Sequence, residues 1–156
     1  MRKRFVKITT KDLEHQQVIQ LLEEHLQDMY ATSPAESVHA LDLSALKHPD
    51  VTFWTGWREG TLLGCTALKR LSHQHGELKS MRTSLHARGT GVASTLLQHL
   101  ITEAKQQGYK QISLETGSMA FFAPARALYE KFGFEYCGPF GNYQADPNSC
   151  FMTLVL

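Results

Sequence analysis

Cysteine is scarce in this chain: Cys65, Cys137 and Cys150 are the three among 156 residues. Odd in number and without any C-x-x-C spacing, they carry no disulfide or metal signature and read as reduced, buried side chains of a cytoplasmic protein. A surplus of either charge is also missing. Sixteen Lys and Arg against fifteen Asp and Glu leave a formal net charge of +1, which gives no bulk electrostatic support for a nucleic-acid partner. No apolar run approaches the ~20 residues that span a bilayer, so no membrane is expected. The basic start Arg2-Lys3-Arg4 has no apolar segment behind it and does not read as a signal peptide. Internal repeats, low-complexity tracts and flexible linkers are absent. His73-Gln74-His75 has the look of a metal pair, but no third ligand stands nearby and a turn explains it, so no metal is expected.

What is present is ordinary globular composition, 42% hydrophobic and 20% charged. The length suits one domain over residues 1–156, enough to bury roughly two-thirds of the unfolded surface. Phe5 to Ile8 alternates as a first strand would. Asp12 is placed to cap a helix whose apolar positions Val18, Leu21, Leu22, Leu26 and Met29 follow helical spacing. Ser33-Pro34 interrupts it, and a second short helix is predicted over 35–46, with Pro34 at its permissive first turn. Val51 to Arg58, turning at Glu59-Gly60 into Thr61 to Leu71, reads as a hairpin. Glu77 to Thr83 is the next strand. Helical periodicity returns in Val92, Leu96, Leu97, Leu100, Ile101 and Ala104, ended by Gly108. A strand over 111–116, a helix over 124–132 closed by Gly133, and strands over 134–137 and 150–155 complete the chain. Hairpin strands followed by alternating strands and helices predict a mixed α/β fold, a sheet with helices packed on it.

The most informative stretch is Arg88-Gly-Thr-Gly-Val-Ala93. A strand feeds it and a helix leaves it, so several unpaired backbone N–H groups converge at the positive end of a helix dipole. That geometry suits a diphosphate, and each N–H bond to a charged oxygen is worth roughly 1.5–3 kcal/mol. Spacing excludes two familiar phosphate loops. Val92-Ala93 stand where a P-loop needs Lys-Ser/Thr, and Ser94 stands where the dinucleotide fingerprint needs its third Gly.

What remains, Arg88-x-x-Gly91-x-Ala93, resembles the pyrophosphate loop of the GNAT superfamily of N-acetyltransferases. Downstream, Ser113-Leu-Glu-Thr116 and then Pro124-Ala-Arg-Ala-Leu-Tyr-Glu-Lys-Phe-Gly-Phe134 resemble that family's strand and its Ala-x-x-Leu-Tyr-x-x-x-Gly-Phe signature. Longer strings, Ser33-Pro-Ala-Glu-Ser-Val-His-Ala-Leu41, Lys79-Ser-Met-Arg-Thr83, Glu115-Thr-Gly-Ser-Met119 and Asp146-Pro-Asn-Ser149, look like its YsnE-like bacterial branch. The resemblance covers nearly the whole chain. It implies a mostly antiparallel sheet with strands four and five splayed, helices on both faces, acetyl-CoA as cosubstrate in the gap, and an N-acetyltransferase activity.

Carried over residue by residue, the resemblance assigns the diphosphate contacts to Arg88, Gly89, Thr90, Gly91, Val92, Ala93 and Ser94. The pantetheine arm would pair with the main chain of Met81, Arg82 and Thr83. Where the family often has an Asn touching that arm, this chain has Phe122, so the contact there must be apolar or made by main chain.

Transfer to an amine also requires a base. An amine of pKa near 10.4 costs about 4–5 kcal/mol to neutralise at pH 7. Glu77, eleven residues before Arg88, falls where histone-type members carry a glutamate base; the alternative is a solvated carboxylate at a strand end. Glu115 on the adjacent strand is the second candidate. Tyr129 falls at the family's general-acid tyrosine, or packs on the apolar face with Leu128 and Phe132. A phenol and a thiol differ by about 1.5 pKa units, so its main task would be to hydrogen-bond the departing thiolate.

The acceptor site gathers Glu36, Ser37, His39, Arg82, Glu115, Asn142-Tyr143 and the 146–148 segment. Glu36 would hold an ammonium and Arg82 a carboxylate, while capping by Ser37 and loop hydrogen bonds by Asp146 and Asn148 explain those residues equally well. The expected acceptor is a small amino-acid-like or polyamine-like amine. Protein lysine or N-terminal acetylation, and an acyl-CoA-binding sensor without turnover, are the alternatives. A homodimer is a common arrangement in the family.

Overall fold

The structure is a computed structural model that describes residues 6–10, 12–39 and 42–156. Its elements are β1 (Lys7–Thr10), α1 (Gln16–Thr32), α2 (Leu43–Leu46), β2 (Val51–Arg58), β3 (Thr61–Arg70), β4 (His75–Thr83), α3 (Val92–Gln106), β5 (Gln111–Gly117), α4 (Ala123–Lys131), β6 (Glu135–Cys137) and β7 (Ser149–Val155). They form one seven-stranded sheet in the order β1-β2-β3-β4-β5-β7-β6. Every neighbouring pair is antiparallel except β4 and β5. The parallel pair requires a crossover, and α3 supplies it.

Helices cover both faces because the strands alternate. On one face Phe53, Cys65 and Ala67 pack against Val18, Leu21 and Leu22 of α1 and Leu46 of α2. On the other, Trp54, Leu68, Leu78, Ile112 and Leu114 meet Leu97, Leu100, Ile101 and Ala104 of α3 and Tyr129 of α4. Full burial of a leucine of this kind contributes about 1.5–3 kcal/mol. Trp54 is therefore a core residue, and Trp57 lies against His15 with its Nε1 donating to Thr55 Oγ1 at 2.8 Å.

Several expected details differ. The first strand begins at Lys7 rather than at Phe5, which lies outside the described residues. Asp12 does not cap α1. Its carboxylate accepts from Thr9 and, at 2.8 Å, from Thr55, and these bonds hold it below the ordinary carboxylate range, Thr9 contributing most. The cap is His15, whose Nδ1 accepts from Gln17 N. The single helix expected over 35–46 is two pieces, a 3-10 turn at Ala35–Ser37 and the one-turn α2 capped by Asp42, with residues 40 and 41 outside the described set. Cys137 is exposed on β6, not buried, whereas Cys65 is fully buried and its thiol is pushed up to about 12 by desolvation.

Toward its C-terminal half α1 carries His25, Asp28 and Met29 to the β4 side of the sheet. There Arg82 is buried and its guanidinium donates to the Asp28 carboxylate at 2.7 Å. Burial and then the Arg82 charge lower the His25 pKa from 6.5 to about 4, so the folded protein holds this imidazole neutral. An unfolded histidine titrates near 6.5. Between those two values the unfolded chain binds the extra proton, so stability rests on a neutral His25 above pH 6.5 and is lost as pH falls toward 4. The slope approaches about 1.4 kcal/mol per pH unit. Urea denaturation of the wild type and of His25→Gln at pH 7, 6 and 5 should show a steeper loss in the wild type. Equal slopes in the two proteins would mean that His25 does not carry this dependence.

Candidate active site

The site begins where the sheet comes apart. β4 and β5 pair through only three residues each, His75 with Gln111, Gly76 with Ile112 and Glu77 with Ser113. Beyond Glu77 the strands diverge, which realises the expected splay. A bulge sharpens it: the register of β3 on β4 shifts between Cys65 and Ala67, and Ser80 adopts φ +56. A left-handed serine costs on the order of 1–2 kcal/mol, and bulges bend the strand that carries them. The Cys65 thiol donates to the Ser80 carbonyl at 3.3 Å. After the bulge, Arg82 and Thr83 pair back to Cys65 and Gly64 on β3. Their other edge, toward β5, has no strand beside it.

A groove of about 560 Å³ opens along that free edge. Its lining brings together Met81, Arg82 and Thr83 of β4, Arg88, Gly89, Gly91, Val92, Ala93 and Ser94 of the loop, and Phe122 and Tyr129. Gly91 is the N-cap of α3 with φ +84 and no side-chain cap, so the first N–H groups of that helix are left for a ligand. Gly89 is also left-handed, at φ +77. Successive main-chain N–H groups in such a turn make an anion-binding concavity. Thr90 is the exception among the expected loop contacts. Its hydroxyl turns back to donate to the Ala87 carbonyl at 2.5 Å, closing the turn, and it is not part of the groove lining. Phe122 is buried with its ring laid on Gly117, where a Cβ would overlap it.

On the opposite side of the gap lies a second cavity of about 540 Å³. Glu36, His39, Lys69, Glu77, Lys79 and the 141–147 segment form its walls. That segment belongs to the long β6–β7 connection and is tied down at three points. The Ser37 hydroxyl donates to Asp146 at 2.6 Å, Tyr143 Oη donates to the Glu77 carboxylate at 2.5 Å, and the Ser118 hydroxyl donates to the Pro147 carbonyl at 2.6 Å. Ser37 thus acts across the fold instead of capping a helix. The two large cavities meet in a small space of about 90 Å³, inside the splay, walled by His25, His39, Glu77, Glu115, Phe122 and Tyr129 among others. This small space shares His39 and Glu77 with the second cavity and Phe122 and Tyr129 with the groove, and so lies between them.

The ionisable groups differ in state. Glu77 is buried, not a solvated strand-end carboxylate, because β4 starts two residues earlier. Lys79 Nζ stands 3.2 Å from its Oε2 and 2.8 Å from Tyr143 Oη, forming a closed triad. Burial, reinforced by the Glu77 charge, drives the Tyr143 phenol upward and keeps it protonated. Glu115 lies in the gap, and desolvation raises its carboxyl above the ordinary range against the pull of His39 and Lys79. Tyr129 is buried, and desolvation followed by the Glu115 charge raises its phenol well above 10. It is a donor at any working pH. Arg82 points its guanidinium at Asp28 and lines the groove, not the acceptor cavity, so it is not placed to hold an acceptor carboxylate. The residues that sequence reasoning missed are Lys69, Lys79 and His25. Of these, only the alternation of Glu77 and Lys79 along one strand offered a signal.

No helix among the described residues is long and apolar enough to cross a membrane. Residues 16–134 match the family described as the Acetyltransferase (GNAT) family. The chain is 56% identical over 149 residues to the uncharacterized N-acetyltransferase YsnE of Bacillus subtilis, covering 96% of this chain and 99% of that one. A structure described as an acyl-CoA N-acyltransferase, from Klebsiella pneumoniae, superposes with a TM-score of 0.81 at 27% identity over 99% of both chains. A GNAT-family acetyltransferase from Elizabethkingia anophelis, solved with acetyl-CoA bound, gives a TM-score of 0.69 at 19% identity over 99% of this chain and 100% of that one. Its uncapped glycine loop, its splayed sheet and these relatives agree: the chain belongs to the GNAT family of N-acetyltransferases.

Proposed function

We propose that this acyltransferase moves an acetyl group from acetyl-CoA to the amine of a small metabolite. The observation that carries this reading is the small space in the splay, which shares its lining with a phosphate-ready groove and with a charged, loop-walled cavity. The residues fit the cosubstrate. Gly89, Gly91 and the open N-terminus of α3 suit a diphosphate, and the free edge of β4 suits an extended pantetheine arm. Phe122 gives that arm an apolar wall, and Arg88, exposed at the groove, adds charge. Bound acetyl-CoA supplies the thioester whose acyl carbon the amine attacks, so that a C–N bond forms as the C–S bond breaks.

The chain's own groups manage the protons. Glu115 takes the ammonium proton, because its raised pKa narrows the gap to the amine's. Glu77 has both Lys79 and Tyr143 on one oxygen and serves to fix that wall of the cavity, with the base role as its alternative. Tyr129 donates a hydrogen bond to the departing thiolate, which takes up the second amine proton as the C–S bond breaks. Positioning of amine against thioester in the narrow gap contributes roughly 7–11 kcal/mol of barrier lowering.

Two measurements test this reading. Acetyl-CoA at a hundred times its dissociation constant should stabilise the protein by about 2.7 kcal/mol, seen as a raised Tm that NAD and ATP do not reproduce. Gly91→Val should abolish that rise, since a β-branched residue is disfavoured at φ +84; equal shifts from all three ligands would refute the cosubstrate. The base is tested by pH. Glu115→Gln should lose activity most near neutrality and recover as pH approaches the acceptor's pKa, while Glu77→Gln should show no such recovery. Recovery in Glu77→Gln alone would exchange the two roles, and none in either would leave the base to solvent.

A further inference from the structure

The acceptor cavity contains two lysines in unlike circumstances. Lys79 is engaged, its ammonium shared between Glu77 and Tyr143. Lys69 lines the same cavity and is half-buried. Among the described residues it takes part in none of the ion pairs of the fold. In the antiparallel ladder Lys69 stands directly opposite Glu77, and Ala67 opposite Lys79. Opposed residues share a face of the sheet, so Lys69, Glu77 and Lys79 all face the cavity. On its other edge Glu77 faces Ser113 of β5, and Glu115 follows two residues later on the same face. Lys69 therefore stands two strand spacings, about 9.6 Å, from the row that ends in the gap.

None of the cavity's carboxylates forms an ion pair with it among the described residues. Glu77 is held by Lys79 and Tyr143. Asp146 accepts from the Ser37 hydroxyl and the Asn148 N–H. Glu36 is exposed at the rim. A lysine with a partly buried stem and no ion-pair partner can take an anion at its ammonium by a charge-assisted hydrogen bond. The arrangement is bipolar, with carboxylates and a proton acceptor toward the gap and a free cation at the far wall.

We infer that the acceptor is an amino acid, with its amine delivered to the gap beside Glu115 and its carboxylate held by Lys69. The inference deepens the transferase reading above and rests on it. A polyamine would bring a second positive charge against Lys69, where a carboxylate would bring an opposite one. Arg82, committed to Asp28, does not compete for the carboxylate.

The test is a thiol-release assay with acetyl-CoA over the common amino acids, each run beside its methyl ester and its decarboxylated amine, with spermidine and putrescine added. The wild type should use one or more free amino acids at least tenfold more efficiently than their esters and decarboxylated forms. Lys69→Met should raise KM for the free acid about tenfold or more and erase that preference. Lys69→Arg, which keeps the charge, should restore it. Both variants should keep the wild-type rise in Tm with acetyl-CoA, showing that the fold is intact. Esters, decarboxylated amines or polyamines used as well as free acids by the wild type would overturn the inference while leaving the transferase reading in place. So would a Lys69→Met variant that loses acids and esters in equal measure. No thiol release with any amine, while acetyl-CoA still raises Tm, would overturn the transferase reading itself, and the assignment of Lys69 would fall with it.

Discussion

Three residue pairs hold β4 to β5, and the sheet's usefulness depends on there being no fourth. A parallel pair is normally covered on both faces and sealed along its length. Here the ladder stops at Glu77 and Ser113, and a small space opens between the two strands. Backbone groups freed in this way are costly when buried without partners, so the splay is tenable only because the open edge faces a groove. The bulge at Ser80, with its left-handed backbone, steers β4 away from β5 at the start of the free edge. Packing elsewhere has to compensate for that strain, and the leucine-rich seam between α3 and the sheet is where the burial is deepest.

The same opening sets the electrostatics. Glu115 and Tyr129 both border the small space inside the splay, and the dominant cause of each shift is desolvation. Burial makes the carboxylate a better base and the phenol a more secure donor, because it disfavours the charged form of each. Their mutual repulsion adds to the phenol's shift. Glu77 faces the same region but has a lysine at 3.2 Å. Two carboxylates on neighbouring strands thus have different surroundings, an ammonium beside Glu77 and the desolvating gap around Glu115.

The fold was legible in the sequence wherever the signal was local. The hairpin from Val51 to Arg70, the periodicity of Val92 to Ala104 and the glycine punctuation at Gly108 and Gly133 each rest on neighbours a few residues apart, and each appears within a residue or two of its expected place. The loop at Gly91 was legible for the same reason. Asp12 misled because a carboxylate before a helical run suggests a cap, while its real partners include Thr55, 43 positions away. Ser37 finds Asp146 at a separation of 109, and Tyr143 finds Glu77 at 66. No pattern in the chain announces such pairs. The residues expected on the cofactor side therefore come together along one groove, whereas the contacts on the other side of the gap could not be read from the chain.

That asymmetry has a physical basis. A diphosphate is recognised by main chain, so its site is written as glycines, a helix start and a strand edge, all short-range features. In the proposed reading, an amine would be recognised by side chains assembled from β3, β4, β5, the turn after α1 and the β6–β7 connection. Its specificity resides in which charges remain unpaired after the fold has used the rest. Lys79 and Arg82 are paired with internal carboxylates, and only the assembled structure separates them from Lys69. The chemistry of the substrate is thus read from the charges that the protein leaves over.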